Sequence, residues 1–292
     1  VTRVSDNGNQ MKLKSESHAI HNKLSTSLSW NNNSTKSFSG ELNAESRFYR
    51  NNNGTQVAAI KVLPSHINID DVIWDVMPAQ IVYTPKNIGI NNFTIKHGTQ
   101  HIMINGKATS DPKDSLIVDM KGFDVSYVLD LVNFHSVEFS GQADGRAFIT
   151  APFGTPTASG KIKVSNFMFE CGRMGTLNAN VNWNKTDKQI DINAIANDGP
   201  DAMTFINGYV SPARKYIDLG IKAEGTHIDF IESFTESFMD DVKGQAHGSI
   251  NVVGPLKKIN LIGKMAVNGE AKITPTNCKY YLRNDTIAFV PN

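Results

Sequence analysis

A chain of 292 residues with 40% hydrophobic and 20% charged side chains can bury a core and is no disordered tail. Its 29 basic and 28 acidic residues leave a formal net charge of +1, without the basic stripe that nucleic acid calls for. No run of about 18 apolar residues offers a transmembrane helix, and the polar opening residues carry no secretory signal.

Residues 1–37 read as a partial segment of strand and loop. From Phe38 a period-two alternation begins, in which Gly40, Leu42, Ala44, Ser46 and Phe48 share one parity. That period is the mark of a β-strand with one apolar and one wet face. Asn53-Gly54 then marks a turn. Residues 70–76 are a candidate short helix, with Asp70-Asp71 as carboxylates for a helix end or turn. His97 and His101 stand four apart, a helical spacing for two metal ligands. Gly98 and the flanking alternation instead place them in a turn between strands, as solvent-exposed histidines with no acidic third ligand. Residues 124–132 carry Val125, Val128, Leu129 and Val132 at helical spacing and predict a short amphipathic helix.

Alternation resumes at Gly141, Ala143, Gly145, Ala147 and Ile149, and continues through Ile162 and Val164. Leu177, Ala179, Val181 and Trp183 alternate with Asn178, Asn180 and Asn182; Ile190 and Ile192 alternate with Asp191 and Asn193. The run from residue 184 to 187 and Ser211-Pro212 punctuate the strands. Ile217, Leu219, Ile221 and Ala223 form the next apolar set. Residues 227–240 predict a second helix, with Ile231, Phe234 and Phe238 on one face, Thr226 as N-cap and Asp240-Asp241 at its end. Phe230, Phe234 and Phe238 fit a plug against the sheet edge. Gly244, Ala246, Gly248, Ile250 and Val252 open a last stretch that runs on through Met265 and Val267.

Laid against itself, the chain repeats. Gly-Gln-Ala-Asp-Gly at 141–145 returns as Gly-Gln-Ala-His-Gly at 244–248, an offset of 103. Pro152 and Pro255, Gly160 and Gly263, and Val164 and Val267 keep the same offset, while Phe-Ser-Gly at 38–40 precedes its copy at 139–141 by 101. The expected organisation is a unit at 38–140, a second at 141–243 and the start of a third at 244–292, each of about five strands and a helix. The fold class is mainly β, an elongated, curled, antiparallel-rich sheet with short amphipathic helices between units.

A sheet with one apolar face must hide it, by curling, by packing on a second sheet or by facing lipid. Small residues let a sheet bend, so Gly141, Gly145, Gly244 and Gly248 read as crease points, with a plain bulge or turn as the alternative. An outer-membrane barrel wants longer apolar strands and aromatic girdles than this chain offers. The curled sheet would lay Leu42, Ala44, Ala143, Ala147, Ile149, Ile162, Val164, Leu177, Val181, Ile190 and Ile192 along its floor. Ile217, Leu219, Ile221, Ala246, Ile250, Val252, Met265 and Val267 would continue it. No nucleophile elbow, phosphate loop, dinucleotide fingerprint or metalloprotease motif occurs, so no catalytic residue, metal or cofactor is expected. Cys171 and Cys278 make no zinc pattern and read as free thiols, with pairing in an oxidising compartment as the alternative.

The Gly-x-Ala-x-Gly strand, the Gly254-Pro255 turn, the Gly-x-Met-x-Val strand after it and the repeat resemble the β-rich region of bacterial TamB and other AsmA-like proteins. The segment Tyr280-x-Leu282-x-x-Asp285-x-Ile287-x-Phe289 is similar to a hairpin in the Bacteroidetes versions of that family. The resemblance covers about residues 38–292. It implies a β-taco fold whose apolar groove shields and conducts acyl chains of phospholipids or other lipids across the periplasm. It also implies an inner-membrane anchor outside this sequence, neighbouring units of a longer chain and a partner of the Omp85 class. On that reading the chain is an internal fragment of a periplasmic protein and no enzyme. The alternative is a scaffold for outer-membrane protein assembly, or an adhesin-like module with a closed core.

Overall fold

The computed structural model describes residues 2–6, 9–32, 38–69, 71–127, 138–256 and 258–290. The fold is mainly β. Among the described residues twenty strands belong to one hydrogen-bonded sheet, and the pairings between them are antiparallel. They group into two compact units, one of Val1–Phe123 with Arg146–Ala158 and one of Asp124–Gly145 with Ser159–Asn292.

The first unit contains β1 (Thr2–Asp6), β2 (Asn9–Ile20), β3 (Lys23–Asn31), β4 (Phe38–Arg50), β5 (Gln56–Val62), β6 (Ser65–Ile69), β7 (Val72–Val76), β8 (Ala79–Thr84), β9 (Asn87–His97), β10 (Gln100–Ala108) and β11 (Ser115–Asp124). Its ladder forks. β4 pairs with β6 through Phe38–Glu41 and with β5 through Ala44–Arg50, and both branches return to β9, through β7 and β8 respectively. Pro64 and Pro78 stand where the chain passes from one branch to the other. A proline has no N–H for the ladder and holds the preceding residue extended, which suits a strand that changes partner. Between the branches Val62, Val76 and Ala79 are buried, packed by Leu42, Ile67 and Phe93.

Of the expected helix at 70–76, residue 70 lies outside the described residues and Val72–Val76 is strand β7. Ile69 pairs with Val72, and Asp71, just before β7, adopts a left-handed φ of 63°. Short Asp side chains tolerate that region, so the turn wins over a helix start. Trp74 on β7 is fully buried, its ring 5.6 Å from Phe123 and 5.8 Å from His97.

The second unit takes the first half of β12 (Phe139–Thr150), then β13 (Thr157–Phe169), β14 (Gly172–Asn184), β15 (Gln189–Asn197), β16 (Met203–Ser211), β17 (Tyr216–His227), β18 (Met239–Pro255), β19 (Asn260–Ile273) and β20 (Cys278–Phe289). From β13 to β20 each strand pairs with the next. The chain between β17 and β18 holds a 3-10 turn (Asp229–Ile231) and a single helical turn, α1 (Glu232–Thr235). The expected helix over 227–240 is therefore shortened from both sides, because β17 runs on to His227 and β18 begins at Met239. Thr226 is not its N-cap: it lies in β17, buried, with its hydroxyl 2.7 Å from the Thr204 hydroxyl. Of the helix expected over 124–132, residues 128–132 lie outside the described residues. At its start the Asp124 carboxylate accepts hydrogen bonds from the Ser126 backbone N–H (2.9 Å) and hydroxyl (2.8 Å).

Candidate functional site

In an antiparallel ladder directly opposed residues point to the same face. In the second unit three such rows of small or apolar residues cross the sheet, with Thr204 the one polar member. One runs Ile162, Ala179, Ala194, Ile206, Ile221, Ile250, Gly263 and Phe289. Another runs Gly160, Val181, Ile192, Gly208, Leu219, Val252 and Leu261. The third runs Val164, Leu177, Ala196, Thr204, Ala223, Gly248, Met265 and Ile287. The opposite face carries Asn178, Asn180, Asn182, Asn193, Asn207, Lys222, Asn251 and Lys264, all exposed.

The strand ends at the side of the 228–238 connection are closed. β14 and β17 come within 8 Å of each other, whereas three flat strand spacings would hold them about 14 Å apart, and Gly172 at the start of β14 lies against Phe230 of the connection. The bend has a local cause. Register shifts fall at Asn166, Gly225, Asp241 and Asn284, in β13, β17, β18 and β20, all toward this side. Each of the four residues has a positive φ, and a bulge bends and twists its strand. Phe139, Phe167, Phe169 and Phe230 then stack in series with ring separations of 5.4 to 5.9 Å, and Phe234 reaches Phe169 at 6.4 Å. Ile228, Ile231 and Met239 cover Ala223, Val242, Ala246 and Val267. Of the expected phenylalanine plug, Phe230 packs in this cluster, while Phe234 and Phe238 remain 54% and 46% exposed.

Asp198, in the turn after β15, ties this side together. Its carboxylate accepts bonds from Arg173 Nε and an Arg173 terminal nitrogen (2.7 Å), and His227 Nε2 lies 3.5 Å away. The hydrogen bond to Asp198, and then its charge, hold the Arg173 guanidinium further from deprotonation than usual. Lys243 is raised in the same way by Asp241, and Lys279 by its bond to Glu270.

The structure sorts the sequence-derived floor into two groups. Ala143, Val164, Ile217, Ala246, Ile250, Met265 and Val267 are buried, most of them in the two closed clusters. Ile162, Leu177, Val181, Ile190, Ile192, Leu219, Ile221 and Val252 are only half-buried. Ala147 and Ile149 are half-buried on β12. Leu42 packs on the core of the first unit, and Ala44 lines a shallow depression of about 330 Å³ there with Ser17, Thr26, Ser27, Asn43 and Leu63. Of the crease glycines, Gly141, Gly244 and Gly248 have positive φ, and a Cβ on Gly145 would sit 2.6 Å from the Lys161 carbonyl oxygen.

Strand β16 was missed as a source of floor residues. Its sequence puts Phe205 and Tyr209 on one parity and Ile206 and Val210 on the other, so the alternation is masked. The outer aromatics are covered by cations, Lys222 at 5.8 Å from the Phe205 centroid and Arg214 at 5.1 Å from that of Tyr209. The signal lay in Gly208, which opposes both Ile192 and Leu219.

His97 and His101 are strand residues, not turn residues. His97 opposes Gln100 and His101 opposes Lys96, which puts the two rings on opposite faces of the hairpin. His97 Nδ1 lies 2.9 Å from the Ile73 carbonyl, and His101 is half-buried with Nε2 3.7 Å from Asp119. Asp240-Asp241 likewise sits within β18 rather than at a helix end. Among the described residues no group of three metal-ligating side chains converges. Cys171 and Cys278 are exposed free thiols. No helix among the described residues is long and apolar enough to cross a membrane. A scan of protein-family models, a search of curated proteins and a search of solved structures each returned no match.

Proposed function

We propose that the half-buried apolar face of the second unit accommodates the acyl chains of a lipid and that the chain works as a lipid-shielding segment rather than as an enzyme. The carrying observation is the row Val181, Ile192, Leu219 and Val252, which stays half-buried, neither closed over nor fully exposed, between the closed side and the opposite turns. Contiguous apolar surface left in water forgoes about 25 cal/mol per Å² and marks a place where something apolar docks. Gly208 opposes both Ile192 and Leu219, so no side chain rises from the middle of that row.

In its fuller form the proposal follows the family resemblance: a periplasmic segment that passes phospholipid between inner and outer membrane, as part of a longer anchored chain that meets an Omp85-class protein. The buried half of the predicted floor favours a second reading, a closed-core scaffold with a working polar face. Lipid content separates the two. The changes Ile192→Asp and Leu219→Asp place a carboxylate on that row while sparing the buried clusters. Each is expected to lower lipid recovered with the purified protein, measured by mass spectrometry, by at least about tenfold with the circular dichroism spectrum unchanged. Unchanged lipid content in folded variants favours the scaffold.

A further inference from the structure

Charge divides the two ends of the second unit's strands. On the closed side Asp198, Asp229, Glu232, Glu236, Asp240 and Asp241 gather, and the cations there are neutralised by Asp198, Asp240, Asp241 and Glu270. The turns at the opposite end read differently. Lys185 and Lys188 sit in the turn between β14 and β15, Arg214 and Lys215 between β16 and β17, and Lys258 between β18 and β19. All five are exposed, and Asp187 is the one carboxylate among the described residues of these three turns. The Asp187 carboxylate accepts a bond from Asn184. Arg214 donates to neutral partners, Ser211 Oγ at 3.1 Å and Gln189 Oε1 at 2.6 Å. Among the described residues Lys185, Lys188, Lys215 and Lys258 form no ion pair.

The placement is tied to the apolar face. Trp183 opposite Ile190, and Val210 opposite Ile217, are the last inward pairs before their turns. The turns recur every second strand, about 10 Å apart. They make a row of unpaired cations along one lip of the floor. From Ile190 to Ala196 the floor is about 20 Å deep at 3.4 Å per residue. A single acyl layer, half of a roughly 30 Å hydrocarbon core, fits within it.

We infer that the second unit takes an anionic amphiphile, its chains on the apolar face and its phosphate or carboxylate head against Lys185, Lys188, Arg214, Lys215 and Lys258. This rests on the lipid-shielding reading and adds the class of head group and its direction. Unpaired cations at a lip beside exposed aliphatic carbon match the two halves of such a molecule, whereas a zwitterionic head gains no net attraction there.

The test incubates the purified chain with vesicles of equal parts phosphatidylcholine and phosphatidylglycerol bearing the same acyl chains. The protein is then separated from the vesicles and the retained lipid is quantified by mass spectrometry. Retained phosphatidylglycerol is expected to exceed phosphatidylcholine by roughly tenfold at low salt. Molar salt, or the combined change Lys185→Gln, Lys188→Gln, Lys215→Gln and Lys258→Gln, is expected to bring the ratio to one. Equal retention by the unchanged protein would overturn the head-group assignment and leave the lipid reading standing. Retention of neither lipid would overturn the lipid reading itself. Preference that persists in the quadruple variant would also overturn the assignment. So would binding of inorganic phosphate by lipid-free protein that is lost in that variant, since the row would then be a free-anion site.

Discussion

At the scale of single residues, the bend of the second unit depends on four positions where one extra residue enters a strand. Their identities are Asn166, Gly225, Asp241 and Asn284, with φ of 50°, 76°, 53° and 56°. Gly, Asn and Asp enter the left-handed region with least strain, and at Asn284 the backbone N–H is also met by the Asn268 side chain at 2.8 Å. Gly225 is the most constrained, because a Cβ there would collide with the Asp201 carbonyl oxygen. Gly54 makes a control, since it shares a positive φ of 75° but has nothing within 4 Å. Gly54→Ala is expected to cost about 1 kcal/mol from backbone strain alone. Gly225→Ala adds the collision and is expected to cost about 3 kcal/mol. Urea unfolding of the two variants measures the difference, and equal costs would show that the neighbouring strand gives way.

At the scale of elements, the strands were legible, whereas the helix expected over 227–240 was placed correctly but drawn too long, and the one expected at 70–76 was not there. Alternation at period two places Ile190, Ile192, Ile217, Leu219 and Ile221 on one face, and the ladder puts them there. The helix expected at 70–76 failed because Val72, Trp74 and Val76 also alternate, and pairing with β6 and β9 outweighs a local helical preference. The candidate face was read only where parity is continuous. Each bulge shifts parity by one, so Phe167 and Thr226 join the apolar side against the pattern that precedes them. The closed side was not legible for a further reason: its aromatic series draws Phe139, Phe169 and Phe230 from segments far apart in sequence. The misread hairpin offers a sharp test of what anchors it. Trp74 is fully buried at the fork of the first unit, so Trp74→Ala is expected to cost about 3–5 kcal/mol. The same substitution at half-buried Trp183 is expected to cost less than half as much. Denaturant midpoints of both variants check the ranking.

At the scale of the whole molecule, a single sheet makes its backbone pairing uneven. β16 is hydrogen-bonded on both sides, to β15 and β17, whereas β20 pairs only with β19 among the described residues. Alternate N–H groups of β20 therefore face away from the sheet, beside Tyr280 and Tyr281, which are 52% and 64% exposed. An unpaired edge is a template for another strand, and exposed aromatics beside it add apolar area to any such pairing. Hydrogen exchange reads this directly. The inner amides of β16 open only with the global fold and are expected to show opening free energies on the order of 5–15 kcal/mol. In monomeric protein the outward amides of β20 are expected to exchange at near-unprotected rates while their inward neighbours are slowed, a two-residue sawtooth along the strand. If β20 instead pairs with a second copy of the chain, the sawtooth is expected to flatten as protein concentration rises, because association then protects the outward set. Exchange measured across a dilution series distinguishes the two outcomes residue by residue.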